Sequence, residues 1–145
     1  MSTVAKKLTV LIIEDDVSNS ELAVDLLTVA GYETLAVSSA EEGVILSRSR
    51  KPDLVLMDLS LPGMDGISAT RILKSDPRTC DIPVIAVTAH TLGGTQNAVR
   101  AAGCCSYIAK PIDTRSFASL VGSALSTRSE AISECTGQDQ GTVDV

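Results

Sequence analysis

The chain has 145 residues, a formal net charge of -6 and a sequence pI near 4.6, so its length suits one domain with a hydrophobic core. Aromatic residues make up only 2% of it, which argues against a site that stacks bases or sugars on rings. Its 12 lysines and arginines are scattered, so we expect no nucleic-acid partner, since phosphate binding needs clustered cations. The longest apolar runs fall far short of the roughly 20 residues of a membrane helix. With no secretory leader visible, we expect a cytoplasmic protein without a membrane partner.

Short apolar runs alternate along the chain with segments of helical periodicity, which predicts five β-α units around a parallel sheet. The first strand is predicted at 8–13, a continuous apolar run that suits a strand covered on both faces. The helix after it is predicted to begin at Ser18 or Asn19 and to end at Gly31. The second strand is predicted at 34–37.

The second helix is predicted to begin near Ser39 or Ala40, to face Val44 and Ile45 inward, and to end before Pro52. The remaining elements are predicted as strands at 54–57, 84–87 and 106–109 and helices at about 67–74 and 113–125. A further helix between the last two strands contains two adjacent glycines, Gly93 and Gly94, which predicts a soft start. We expect residues 1–125 to form one domain and the polar residues 126–145 to be a disordered tail or a linker.

Polar side chains stand at the ends of four of the five predicted strands. Because parallel strands all end at one edge of their sheet, we expect the residues after these strands to share one crevice. These residues are Glu14, Asp15, Asp16, Asp58, Thr88 and Lys110. Asp16 is better explained as the cap of the first helix, where a negative charge is favoured.

The other carboxylates in this crevice repel one another by several kcal/mol, so the site is expected to bind a cation. A partly hydrated site with few hard oxygen ligands suits Mg²⁺ together with phosphate oxygens. Lys110 and Thr88 would supply a positive charge and a hydroxyl donor to a phosphoryl group. The set of residues therefore favours phosphoryl chemistry, with Asp58 as the candidate nucleophile.

Four runs of the sequence, taken together and in this order, resemble the receiver domain of two-component response regulators. They are VLIIEDD at 10–16, PDLVLMDLSLPGMDG at 52–66, PVIAVTA at 83–89 and YIAKP at 107–111. The resemblance covers about residues 6–125 and implies an α/β fold of the CheY-like, flavodoxin-like type. That fold is a doubly wound sheet of five parallel strands in the order 2-1-3-4-5.

The resemblance implies that Asp58 accepts a phosphoryl group from a phosphohistidine of a sensor histidine kinase or a histidine phosphotransfer protein. It implies that Asp15 is a direct Mg²⁺ ligand beside Asp58 and that Glu14 acts mainly through a water. The backbone carbonyl of Ser60 is implied as the third protein ligand. Such a domain is a phosphoacceptor rather than an enzyme, although it assists its own phosphotransfer and autodephosphorylation.

The resemblance also implies a switch. Lys110 would neutralise the phosphoryl group and precede a cis peptide bond to Pro111, while the Thr88 hydroxyl would move to bond the phosphoryl group. Tyr107 would turn inward at the same time, although it is also compatible with a plain sheet-edge aromatic residue. The face made by the fourth helix, fifth strand and fifth helix would then bind a downstream protein partner. His90 is either an exposed loop residue or a group that tunes hydrolysis of the aspartyl phosphate near pH 6 to 7.

Two other interpretations stay open on the sequence. The chain could be a receiver domain excised from a hybrid histidine kinase or another multi-domain regulator, with residues after 126 as the linker. A phosphatase with an aspartyl nucleophile would need a second carboxylate two positions after the first. Ser60 stands at that position instead, which argues against the phosphatase.

Overall fold

Strands and helices alternate strictly in the computed structural model, which describes residues 7–61, 63–89 and 93–126. The elements are β1 (Thr9–Ile13), α1 (Val17–Val29), β2 (Glu33–Val37), α2 (Ala40–Arg50), β3 (Leu54–Asp58), α3 (Gly66–Ser75), β4 (Val84–Thr88), α4 (Gly93–Ala102), β5 (Ser106–Ala109) and α5 (Phe117–Ser126). All five predicted strands are present to within one residue at each end.

The five strands form one parallel sheet in the order β2-β1-β3-β4-β5, which confirms the predicted fold class. The strand order changes direction at β1, because β2 is added on one side of β1 and β3, β4 and β5 are added on the other. The crevice between β1 and β3 at this switch point is where α/β proteins bind ligands. Ile13 pairs with Met57 there, and Asp58 pairs with Val87 on β4. The carboxyl ends of β1, β3 and β4 are therefore level with one another.

Two hydrophobic clusters cover the two faces of the sheet, because successive strand residues point to opposite sides. Leu11 and Ile13 of β1 belong to the cluster that contains buried residues of α2, α3 and α4. Val10 and Ile12 belong to the cluster that contains buried residues of α1 and α5. Helices on both faces explain why the strands are apolar without alternation.

Short polar side chains set the helix starts. Asp16 caps α1 by accepting a hydrogen bond from the Asn19 amide at 3.1 Å, as predicted, so the helix begins slightly earlier than Ser18. Asp65 caps α3 in the same way through the Ser68 amide at 2.8 Å. Gly31 has a φ of 100° after the end of α1, which explains why glycine terminates this helix.

Two predictions about the helices are wrong. Helix α5 begins at Phe117 and not near Asp113, because residues 114–116 form a turn on the Asp113 carbonyl and carboxylate. Ile45 is 62% exposed, whereas Val44 is buried. Neighbouring helical residues lie 100° apart, and the buried stripe of α2 runs through the small residues Gly43 and Ser47.

Some predictions fall on parts of the chain that the structure leaves undescribed. His90 and residues 127–145 lie outside the described residues. The roles expected for His90 and the disordered tail expected after residue 125 therefore stay predictions. No helix in the described ranges has the length and apolar character needed to cross a membrane.

Candidate functional site

Three carboxylates meet at the carboxyl edge of the sheet, where β1 and β3 end. Ligand oxygens of Glu14, Asp15 and Asp58 all lie within 4.8 Å of one another. Asp58 is 1% exposed and Glu14 is 8% exposed, whereas Asp15 lies on the surface. The cluster is therefore buried on one side and open to solvent on the other, which leaves room for an incoming group.

Backbone hydrogen bonds beyond the strand ends hold these side chains in place. The amide of Glu14 donates to the Val37 carbonyl at 3.1 Å, which continues the pairing of β1 with β2. The amide of Lys110 donates to the Thr88 carbonyl at 2.8 Å and so continues the pairing of β5 with β4. The peptide bond between Lys110 and Pro111 is cis, as the sequence resemblance implied.

Asp58 receives hydrogen bonds on both of its oxygens. Oδ1 accepts from the amide and the hydroxyl of Ser60, each at 3.0 Å. Oδ2 accepts from Nζ of Lys110 at 3.2 Å. Lys110 Nζ also lies 3.3 Å from Oε1 of Glu14, so one ammonium group bridges two carboxylates at the ends of two different strands.

The proton distribution in the site follows from burial and from these contacts. Burial and, next, the hydrogen bond with Asp58 together raise the pKa of Glu14 to about 7. Burial acts to raise the pKa of Asp58 as well, but hydrogen bonds from Glu14, Ser60 and Lys110 outweigh it, so this pKa is lowered. Asp58 is consequently ionised at neutral pH, while Glu14 is poised to hold a proton.

Lys110 stays charged in this site. Burial alone would lower the pKa of Lys110, but the hydrogen bond to Asp58 and the charges of Asp58 and Glu14 raise it overall. The site therefore combines the ionised Asp58 carboxylate, a fixed cation and a second carboxylate that an additional cation could deprotonate.

The two residues of the expected switch lie on neighbouring strands. Thr88 is the last residue of β4 and is 3% exposed. Tyr107 lies on β5, pairs with Ala86 and packs half-buried against the cluster on the α2, α3 and α4 side. Tyr107 therefore lies on β5, one of the three elements of the face that it is expected to reshape.

Two features of the site were not found in the sequence. A groove of about 340 Å³ next to the cluster is lined by Glu14 and Asp15 together with Glu21 of α1 and Glu42 of α2. The strand-end argument missed Glu21 and Glu42 because they come from helices. A Cβ atom on Gly66 would lie 2.5 Å from the carbonyl oxygen of Asp58, so α3 can approach this residue only through glycine.

A sequence model described as the response regulator receiver domain matches residues 10–121. The chain belongs to this family. This receiver domain is 42% identical over 116 residues to the polar-differentiation response regulator DivK of Brucella ovis, a match that covers 80% of this chain and 94% of the relative. The DivK of Brucella anthropi is 41% identical over the same shares. Three segments, at 31–35, 82–89 and 102–104, suggest the same likeness to DivK on sequence alone.

Solved receiver domains have the same architecture. One from a signal transduction histidine kinase of Syntrophus aciditrophicus is 32% identical, with a TM-score of 0.75 and coverage of 81% of this chain and 89% of that chain. Another, from a sensor histidine kinase of Pseudomonas aeruginosa, is 28% identical, with a TM-score of 0.77 and coverage of 83% and 99%. That structure is described with a magnesium ion coordinated in the active site cleft.

Proposed function

We propose that this receiver domain accepts a phosphoryl group on Asp58 from a phosphohistidine of a sensor histidine kinase or a histidine phosphotransfer protein. The observation that carries the proposal is the environment of Asp58, which is 1% exposed, ionised and 3.2 Å from the ammonium group of Lys110. A carboxylate with one positive neighbour at a solvent-open edge is suited to attack phosphorus and then to hold the added charge.

The chemical step needs little from the protein beyond position and charge. A carboxylate oxygen of Asp58 forms a bond to phosphorus as the bond between phosphorus and the imidazole nitrogen breaks. The electron pair of that bond returns to the imidazole, and the product is an acyl phosphate on Asp58. Lys110 stays near the transferred group and offsets its charge, because it already contacts the acceptor oxygen Oδ2.

The donor set of the site fits Mg²⁺. The three carboxylates lie within 4.8 Å, and one of them is exposed, which suits a hard cation that keeps part of its water shell. We assign Asp15 and Asp58 as direct ligands, Glu14 as a ligand through water, and the Ser60 carbonyl as a further ligand. Bound Mg²⁺ would offset the negative charge of these carboxylates and of the incoming phosphoryl oxygens.

The output of this domain is a change of surface. Thr88 is assigned as the hydroxyl that moves to the phosphoryl group, and Tyr107 as the ring that turns inward with it. Both lie on strands at the α4-β5-α5 side of the sheet, so their movement would alter the face that a downstream protein contacts. The phosphorylated and unphosphorylated states then differ in their affinity for that partner.

The deciding experiment is incubation with acetyl phosphate and Mg²⁺, followed by intact mass measurement. We expect the wild type to gain one phosphoryl group, and Asp58→Asn or an excess of chelator to prevent the gain. Asp65→Asn is the matched control, since asparagine also caps a helix, and it should be modified like the wild type. A modified Asp58→Asn variant would refute Asp58 as the acceptor, and an unmodified wild type would refute phosphorylation by a small-molecule donor.

A second measurement addresses the switch. In the wild type, phosphorylation is expected to shift backbone amide signals of α4, β5 and α5 in nuclear magnetic resonance spectra. Thr88→Ala should still gain the phosphoryl group but should show much smaller shifts on this face. Equal shifts in the two proteins would remove Thr88 from the switch while leaving Asp58 as the acceptor.

A further inference from the structure

A second charged groove lies between α2 and α3, away from the acceptor site. It has a volume of about 480 Å³ and is lined by Arg48 of α2, by Arg71 and Ser75 of α3, and by Asp76 and Arg78 of the segment after α3. Three guanidinium groups and one carboxylate give these side chains a net charge of +2. The chain as a whole carries -6, so positive charge is concentrated at this groove.

Asp76 holds two of the arginines in fixed positions. Its Oδ2 lies 2.9 Å from Nε of Arg48 and 2.9 Å from Nη2 of Arg78, and its Oδ1 accepts from Nε of Arg78 at 3.1 Å. The Asp76 side chain is only 11% exposed, whereas that of Arg78 is 60% exposed. The guanidinium group of Arg71 forms no hydrogen bond or ion pair with any residue that the structure describes. The groove therefore presents oriented N–H groups that can bind carboxylates.

The chain itself contains an acidic segment, which follows α5. Residues 127–145 carry four acidic side chains, at Glu130, Glu134, Asp139 and Asp144, against one arginine. Each helix of this fold returns the chain to the amino edge of the sheet, so the ends of α2, α3 and α5 lie at the same edge. A random coil of 19 residues would span about 24 Å on average, which is enough to pass from one helix layer to the other.

We propose that the C-terminal segment, residues 127–145, docks through its acidic side chains in the arginine groove of α2 and α3. A single exposed pair of this kind is weak in water. The covalent connection raises the local concentration of the segment to the millimolar range, so several weak pairs suffice for docking. The contact covers the amino edge of the α2 and α3 layer and leaves the acceptor edge of the sheet open.

The test uses the full chain with a thiol reductant present, which keeps the four cysteines reduced. The variants then differ from the wild type in charge alone. Nuclear magnetic resonance would follow the Nε–Hε signals of Arg48, Arg71 and Arg78 at low ionic strength. We expect neutralisation of the segment, by Glu130→Gln with Glu134→Gln or by Asp139→Asn with Asp144→Asn, to shift these signals. About 1 M NaCl should produce similar shifts in the wild type, since ions then screen charges beyond about 3 Å.

The matched control is Glu21→Gln with Asp25→Asn, which removes the same charge from exposed positions of α1. This variant should leave the arginine signals unchanged. The proposal is overturned if neither pair in the segment shifts the signals, or if the control shifts them equally. It is also overturned if an added acidic peptide shifts the arginine signals while neutralisation of the segment does not, because the groove would then bind a separate partner.

Discussion

Nζ of Lys110 lies 3.2 Å from Oδ2 of Asp58, a contact between residues 52 positions apart in the chain. The Lys110 side chain is 18% exposed and the Asp58 side chain is 1% exposed, so solvent screens this ion pair weakly. The same ammonium group lies 3.3 Å from Glu14. Lys110 is therefore the cation that allows two carboxylates to be buried together before any metal binds.

We expect Lys110→Met to lower the free energy of unfolding by about 1–2 kcal/mol at pH 8 in a metal chelator, because it leaves both carboxylates without their cation. Excess Mg²⁺ should remove most of this loss, since the metal replaces the missing charge. Urea denaturation with and without Mg²⁺ measures both effects. Arg115→Met removes a cation from an exposed position and should change stability little. An equal loss in both variants, or a loss that Mg²⁺ does not reduce, would contradict this role of Lys110.

Glu14 should make the stability of the metal-free protein depend on pH. Its pKa is raised to about 7 by burial and by its bond to Asp58, so the folded state holds a proton that the unfolded state has released. The free energy of unfolding therefore falls as the pH rises from about 4.5 to 7. Glutamine keeps a donor toward Asp58 and cannot ionise. Relative to wild type, Glu14→Gln should gain about 1–2 kcal/mol between pH 5 and pH 8.

The measurement for Glu14 is urea denaturation at pH 5 and pH 8 in chelator. Asp25→Asn makes the same charge change at an exposed position of α1 outside the acidic groove and should show a difference from wild type that is independent of pH. Excess Mg²⁺ at pH 8 should cancel the advantage of Glu14→Gln, since the wild type then binds the cation more tightly. A constant offset between Glu14→Gln and the wild type at both pH values would rule out this explanation.

The sequence predicted the acceptor site better than the surface grooves, for a topological reason. The sequence predicts that Glu14, Asp58 and Lys110 lie close together, because all parallel strands end at one edge of the sheet. A residue that follows a strand in the chain is therefore placed at that edge. Arg48 and Asp76 meet only because α2 packs against α3, and no local pattern encodes that contact. The acidic groove beside the acceptor was missed for the same reason.

The errors in the helices have local causes. The Asp113 carboxylate accepts a hydrogen bond from the Arg115 amide at 3.0 Å, an alternative to helical pairing that delays α5. In α2 the inward face carries glycine and serine, so apolar periodicity did not identify it. Hydrophobic patterns predicted where the helices lie, but polar side chains and close packing decided where they begin and which way they face.

At Gly66 we expect a single added methyl group to disturb the end of β3. A Cβ there would lie 2.5 Å from the Asp58 carbonyl and 3.0 Å from the Cα of Leu59, and backbone atoms cannot yield as a side chain can. We expect Gly66→Ala to cost about 1–3 kcal/mol of stability and to slow phosphorylation of Asp58. Chemical denaturation and the rate of phosphorylation by acetyl phosphate measure the two effects.

Gly122 provides the matched substitution in α5. A Cβ on Gly122 would contact only the Tyr32 hydroxyl, at 3.6 Å, which is an ordinary distance. Gly122→Ala should therefore raise stability by up to about 1 kcal/mol through helix propensity and should leave phosphorylation unchanged. If both alanine variants behaved alike, the close approach of α3 to Asp58 would not be the cause of the effect at Gly66.

Ser47 is buried in α2, and among the described residues its hydroxyl is the buried side-chain group without a hydrogen-bond partner. We expect Ser47→Ala to raise the free energy of unfolding by about 1 kcal/mol, because it removes an unpaired polar atom with almost no change of volume. Thr79 is equally buried, but its hydroxyl donates to the Leu73 carbonyl at 2.6 Å. Thr79→Val should therefore lower the same quantity by about 1 kcal/mol. Urea denaturation measures both changes in the free energy of unfolding. Changes of opposite sign would establish that hydrogen bonding, not burial, decides the effect of these hydroxyl groups. Changes of the same sign would exclude this explanation.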